Sequence, residues 1–171
     1  MPGLVLRQAA AGDAGTVVGF IRALAEYERL AHEMVANEGH IRTVLSEEPP
    51  VVRVVLAELD GSPVGFALFF FNFSTFLGRK GIYVEDLFVL PEHRARGVGT
   101  ALLAWLGRLA LERDCGRVEW SVLDWNEPSI RFYRSLGAET MDEWTVHRVT
   151  GPAIRALAGR ADFGPVSGSR G

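Results

Sequence analysis

The 171-residue sequence contains one cysteine, Cys115, and one lysine, Lys80. A lone thiol excludes an internal disulfide and fits a reducing compartment, so a cytoplasmic protein is expected. Its four histidines, His32, His40, His93 and His147, show no metal-ligand spacing, and no metal is expected. No apolar run spans a bilayer, since the longest, VGFALFFFNF, is far too short. The opening MPGLVLRQAA lacks the basic-then-apolar layout of a signal peptide. A strong excess of one charge is also missing. The net charge of −3 offers no general attraction to nucleic acid or to an anionic membrane. There is no Gly-Lys-Ser/Thr for a P-loop, no third glycine for a dinucleotide fingerprint, no internal repeat and no linker.

What is present reads as one domain over 1–158, long enough for a real core at 48% hydrophobic residues. The end, DFGPVSGSRG, is rich in Gly and Ser, so residues 159–171 read as a flexible tail. LVLRQA gives a first strand from Leu4. Asp13 is a candidate N-cap for a helix that sets Val17, Phe20, Ile21, Leu24 and Tyr27 on one face. A short helix is expected around Glu38 to Leu45. PPVVRVVLAEL and PVGFALFFFNF are strands around an Asp60-Gly61 turn, and GIYVEDLFVL is a third, ended by Pro91. A helix follows over Val98 to Arg113, with Leu102, Leu103, Leu106, Leu109 and Ala110 at helical spacing. RVEWSVL is a strand, NEPSIRFYRSLG a helix closed by Gly137, and MDEWTVHRV the last strand.

The order is therefore β-α-α-β-β-β-α-β-α-β. It predicts an α/β (α+β) fold with a mixed central sheet and helices on both faces. The run of phenylalanines Phe69, Phe70, Phe71, Phe73 and Phe76 reads as core and dimer surface, and Cys115 as a buried, inert thiol.

Between the third long strand and the next helix lies HRARGVGT. Gly97 and Gly99 let backbone N–H groups approach a ligand, and Arg94 and Arg96 add positive charge. A glycine loop opening a helix is an anion site. The pattern Arg94-x-x-Gly97-x-Gly99 resembles the pyrophosphate motif of the GNAT acyltransferases, Q/R-x-x-G-x-G/A, and the element order is that superfamily's order. LAEYERL, YVEDLFV, RARGVGTALL and DWNEPSIRFYRSLGA narrow the resemblance to the diamine acetyltransferase-like branch. That branch includes spermidine/spermine and thialysine acetyltransferases. The likeness runs from about Leu4 to Val149.

The resemblance implies acetyl-CoA as cosubstrate and transfer to a primary amine. Leu87, Phe88 and Val89 would line the pantetheine arm. Arg94, Ala95, Arg96, Gly97, Val98, Gly99 and Thr100 would hold the pyrophosphate. Asn126 would bond near the cofactor arm, cap the following helix, or do both. Tyr133 matches the family's proton donor, since a phenol stays protonated at neutral pH and can protonate a thiolate. By spacing alone it reads as a tyrosine packing its ring with its hydroxyl in water. Glu85 and Asp86 interrupt an apolar strand and point to opposite faces unless a bulge intervenes. The family places a glutamate at the Glu85 position, as a base through water or as a charge partner of the amine. Tyr27 and Glu28 match a substrate-side pair, with Glu28 meeting a cationic amine or remaining a solvated helix glutamate.

Ser74 and Thr75 stand where spermidine acetyltransferases tend to carry an acid, and Phe76 replaces a tryptophan-bearing segment. This favours a thialysine-like amino acid or short diamine over spermine. Two other functions fit the same residues, a protein or peptide N-acetyltransferase and a non-catalytic acyl-CoA-binding module. The family also implies a homodimer, and the charge balance and short apolar runs lead us to expect neither nucleic acid nor membrane as a partner.

Overall fold

The apolar runs of the first half of the chain pair into one five-stranded sheet of order β1-β2-β3-β4-β5. The strands β1 (Leu4–Gln8), β2 (Arg53–Leu59), β3 (Ser62–Ser74) and β4 (Arg79–Val89) run antiparallel in turn. The short β5 (Arg117–Trp120) lies parallel to β4, so the sheet is mixed as expected. Asp60 and Gly61, with φ of 51° and 80°, make the tight β2–β3 turn. The computed structural model describes residues 1–160, which form two compact units, Met1–Leu123 and the chain from Asp124 onward. Residues 161–171, most of the expected tail, lie outside the described residues.

Helices cover both faces of the sheet in the first unit. On one face α3 (Val98–Glu112) buries Leu102, Leu106, Leu109 and Ala110 against Val55, Ala67, Phe69, Ile82 and Val84. On the other, α1 (Ala14–Tyr27) and α2 (Glu38–Ser46) bury Val17, Phe20 and Ile41 against Val54, Leu56, Phe66 and Phe88. Phe20 stacks on Phe66 with ring centroids 5.4 Å apart. Strands covered on both sides need apolar residues at successive positions, hence the unbroken run Val64–Phe69. The aromatic run then divides, with Phe69 buried and Phe73 and Phe76 exposed.

Several expectations are corrected. Asp13 precedes α1 but does not cap it with its side chain. Its carboxylate accepts from the Ala10 N–H at 2.8 Å and from Arg7, which Glu58 also binds. The Arg7 hydrogen bonds hold the Asp13 carboxyl down at about 2. Cys115 is half-buried rather than buried, and burial pushes its thiol up. The strand expected over RVEWSVL stops at Trp120.

The second unit carries α4 (Glu127–Ser135) and α5 (Pro152–Ala158). Gly137, with φ of 87°, follows α4 as expected. The last expected strand, MDEWTVHRV, does not form: its residues are irregular and exposed, Trp144 at 71% and Val146 at 80%. Apolar alternation makes a strand only where a neighbouring backbone supplies a hydrogen-bonding ladder, and here Trp144 N–H turns back to the Met141 carbonyl. The unpredicted α5 begins at Pro152, a residue suited to a first helical turn.

Candidate active site

The centre of the site is a break in β4. Leu68 of β3 faces Asp86 and the next residue, Phe69, faces Val84, which leaves Glu85 as the extra residue of a bulge. The bulge reverses the alternation of the strand. Before it, Ile82 and Val84 join the α3-side core. After it, Leu87 and Val89 do, while Phe88 joins the α1 side. An unbroken strand would have kept positions 82, 84, 86 and 88 on one face. The bulge thus brings Asp86, together with Phe88, to the side of α1.

That side is acidic. Glu28 follows the last residue of α1 and is half-buried, and burial pushes its carboxyl up. Asp86 is half-buried and Glu85 exposed. Burial pushes the Asp86 carboxyl up to about 6, and the charges of Glu85 and Glu28 add to the rise. A carboxyl raised by burial and by neighbouring negative charge favours an incoming cation, which relieves both repulsion and desolvation. Such groups concentrate at functional sites.

Beyond Val84, β4 parts from β5, because the parallel ladder covers only Gly81–Val84 against Arg117–Trp120. This is why β5 is shorter than its sequence suggested. Leu87–Val89 keep β3 on one side and have no second strand among the described residues. At the exit of this strand the chain makes a short turn at Pro91–His93 and enters the glycine loop. Ala95 and Gly97 have φ of 57° and 82°, and Gly97 starts α3 without a side-chain cap. The N–H groups of Val98, Gly99 and Thr100 therefore have no carbonyl within the helix to pair with, and they sit at the positive end of its dipole.

The two arginines of the loop differ. Arg96 is exposed. Arg94 is half-buried, its Nε donates to the Val89 carbonyl at 2.9 Å, and its guanidinium lies 4.5 Å from the Tyr27 ring centroid and 5.3 Å from that of Phe88. No residue spacing announced this stack, because its members lie on three separate elements. A second pair missed in the sequence is Tyr83 and Ser121, whose hydroxyls meet at 2.9 Å across the β4–β5 divergence.

The first unit thus carries Tyr27, Glu28, Glu85, Asp86, Leu87–Val89 and the loop 94–100. Asn126 and Tyr133 belong to the second unit. Asn126 is 5% exposed, and its side-chain oxygen accepts from the Ser129 N–H at 3.4 Å, capping α4. Tyr133 is half-buried on α4, its ring 5.4 Å from that of Phe132. Among the described residues, no three His, Cys, Asp or Glu side chains gather as metal ligands, and no helix is long and apolar enough to cross a membrane.

Comparison with known proteins places this geometry. Residues 34–138 match the model of the Acetyltransferase (GNAT) family. Thialysine N-epsilon-acetyltransferase of Bos taurus is 35% identical over 168 residues, spanning 92% of this chain and 98% of that protein. L-ornithine N5-acetyltransferase NATA1 of Arabidopsis thaliana is 30% identical, spanning 89% of this chain and 86% of that protein. Among solved structures, an integron cassette protein from the mobile metagenome of V. cholerae superposes with a TM-score of 0.77 at 25% identity, covering 92% of this chain and 99% of its own. With its β4 bulge, its glycine loop and these relatives, the chain belongs to the GNAT family and is an N-acetyltransferase.

Proposed function

We propose that the protein transfers an acetyl group from acetyl-CoA to the primary amine of a small molecule, a thialysine-like amino acid or short diamine in preference to spermine. One observation carries this reading. The Glu85 bulge sets a carboxylate cluster beside a strand edge free of β5, and that edge leads within a few residues to an uncapped helix N-terminus. A cationic amine suits the first, an extended amide-bearing arm the second and a pyrophosphate the third.

Acetyl-CoA supplies an acetyl thioester. In our reading the backbone of Leu87, Phe88 and Val89 pairs with the pantetheine arm as an added strand would. The N–H groups of residues 95–100 and the charge of Arg96 hold the pyrophosphate, and Asn126 bonds near the arm. Asp86 and Glu28 draw in the ammonium group, with Tyr27 beside them. An ammonium has no lone pair, so it must lose a proton before attack. Glu85 takes that proton through a water molecule or balances the charge of the amine as it does so. Tyr133 gives a proton to the departing thiolate. Residues 1–158 act as one catalytic domain.

The preference for small amines is supported by the relatives named for thialysine and ornithine and by the β3–β4 turn. Ser74 is 5% exposed and its hydroxyl accepts from the Leu77 N–H at 3.2 Å. It serves the turn, and with Thr75 beside it the segment carries no carboxylate for a further ammonium. We also propose a homodimer, supported by the exposed apolar side chains of Met141, Trp144, Val146, Val149, Ile154 and Leu157. A cytoplasmic setting agrees with the free thiol of Cys115.

The test is CoA release from acetyl-CoA with thialysine, ornithine, lysine, putrescine, spermidine, spermine and a basic peptide. Highest kcat/KM on a small amino acid or short diamine is expected. A peptide or spermine as best substrate, or no turnover with any amine, would overturn the proposal.

A further inference from the structure

We propose that Arg94 is a positioning residue that couples the amine side of the site to the cofactor loop, acting through Tyr27. The proposal rests on the reading of the glycine loop as the CoA site. Its geometry is independent of that reading. The Arg94 Nε donates to the Val89 carbonyl at 2.9 Å, and its guanidinium carbon lies over the Tyr27 and Phe88 rings, 4.5 and 5.3 Å from their centroids. One side chain therefore pins three things together: the C-terminal turn of α1, which carries Tyr27 and leads into Glu28, the end of β4, and the first residue of the loop.

The pin has a task that the backbone makes visible. The next residue, Ala95, holds φ of 57°, a left-handed conformation disfavoured for any residue with a Cβ. Such a conformation persists only where its surroundings impose it. Pro91 restrains the entry to the turn and Gly97 relieves its exit, but Ala95 has neither aid of its own. The Arg94 side chain, fixed at the Val89 carbonyl and against the rings of Tyr27 and Phe88, is the restraint next to it. A loop held in the bound shape before the ligand arrives binds more tightly, because its ordering has already been done. Tyr27 therefore influences the anion site through Arg94.

CoA itself, without amine or turnover, is the probe. Its affinity is measured by calorimetry for the wild type and for Arg94→Gln, Tyr27→Leu, Tyr27→Phe and the Arg94→Gln/Tyr27→Leu double variant, with melting curves alongside. Glutamine retains an N–H donor for the Val89 carbonyl and loses the cationic stack. Phenylalanine retains the ring. We expect Tyr27→Leu to weaken CoA about threefold to tenfold, the range of one cation–π contact. Tyr27→Phe should stay within about twofold of wild type. The double variant should bind no worse than Arg94→Gln alone, because both changes break one link. Wild-type affinity in Tyr27→Leu, or losses that multiply in the double variant, would overturn the coupling while leaving the loop as a CoA site. Failure of the wild type to bind CoA would overturn both. Losses that follow melting temperature across all variants, Tyr27→Phe included, would reduce Arg94 to a stability residue and also refute the proposal.

Discussion

Replacing Asp86 by asparagine should make the protein more stable and a poorer enzyme. The carboxyl of Asp86 lies half-buried behind the β4 bulge, where burial first and then the charges of Glu85 and Glu28 raise it from the ordinary 3.8 to about 6. The folded protein therefore holds this proton more tightly than the unfolded chain does. Stability from this group is full below about pH 4 and is lost as pH rises through about 6. The rise corresponds to about 3 kcal/mol between the charged and neutral forms. Solvent reaching a half-buried group reduces this to about 1–2 kcal/mol. Asparagine has the same shape and no charge. At pH 7.5 the variant should gain about 1–2 kcal/mol, or about 2–8 °C in Tm for a chain of this size. Near pH 4 the two proteins should melt together. Urea unfolding at several pH values between these limits reads the whole curve. Equal stability at pH 7.5, or a gain that persists unchanged at pH 4, would refute the electrostatic account. The same variant should show a raised KM for its amine, because in the proposed function the charge that burdens the fold is the one that receives the ammonium.

Other outcomes follow from the same structure. Tyr133→Phe should lower kcat by about 100-fold or more without a matching loss of Tm, as expected for removal of a general acid, and full activity would leave Tyr133 without that role. Gly97→Val should weaken CoA binding and cost about 1–2 kcal/mol of stability, since φ of 82° is hostile to a β-branched side chain, and calorimetry with urea titration reads both. Leu106→Ala should cost about 2–5 kcal/mol, because the side chain is fully buried between α3 and the sheet, and a melting curve measures it.

The elements that pack by their own periodicity were legible in the sequence. The stripe Leu102, Leu106, Leu109 and Ala110 identified α3, and the Asp60-Gly61 pair marked the β2–β3 turn. The loop 94–100 was legible not from its glycines alone, which commonly make plain turns, but from its place between an apolar strand and an amphipathic helix and its resemblance to the GNAT motif. The interruption at Glu85 and Asp86 was visible as charge in an apolar run, with a bulge as one of its explanations. That the bulge also ends β5 pairing at Val84 depends on the register of two neighbouring strands, which neither strand encodes alone. The segment from Met141 to Val149 misled for a related reason. Its residues read as a strand, but the reading of one segment says nothing about a partner, and it is irregular here. The stack of Arg94 on Tyr27 and Phe88 joins residues from α1, β4 and the loop, and only the folded chain shows it.

The most direct test of the central claim is to incubate the protein with acetyl-CoA and thialysine and to identify the product by mass spectrometry and NMR. The account predicts one acetyl group on the side-chain amine nitrogen for each CoA released, with the reaction suppressed in Tyr133→Phe. Saturable CoA binding without acetylation of thialysine or of any other small amine would contradict it.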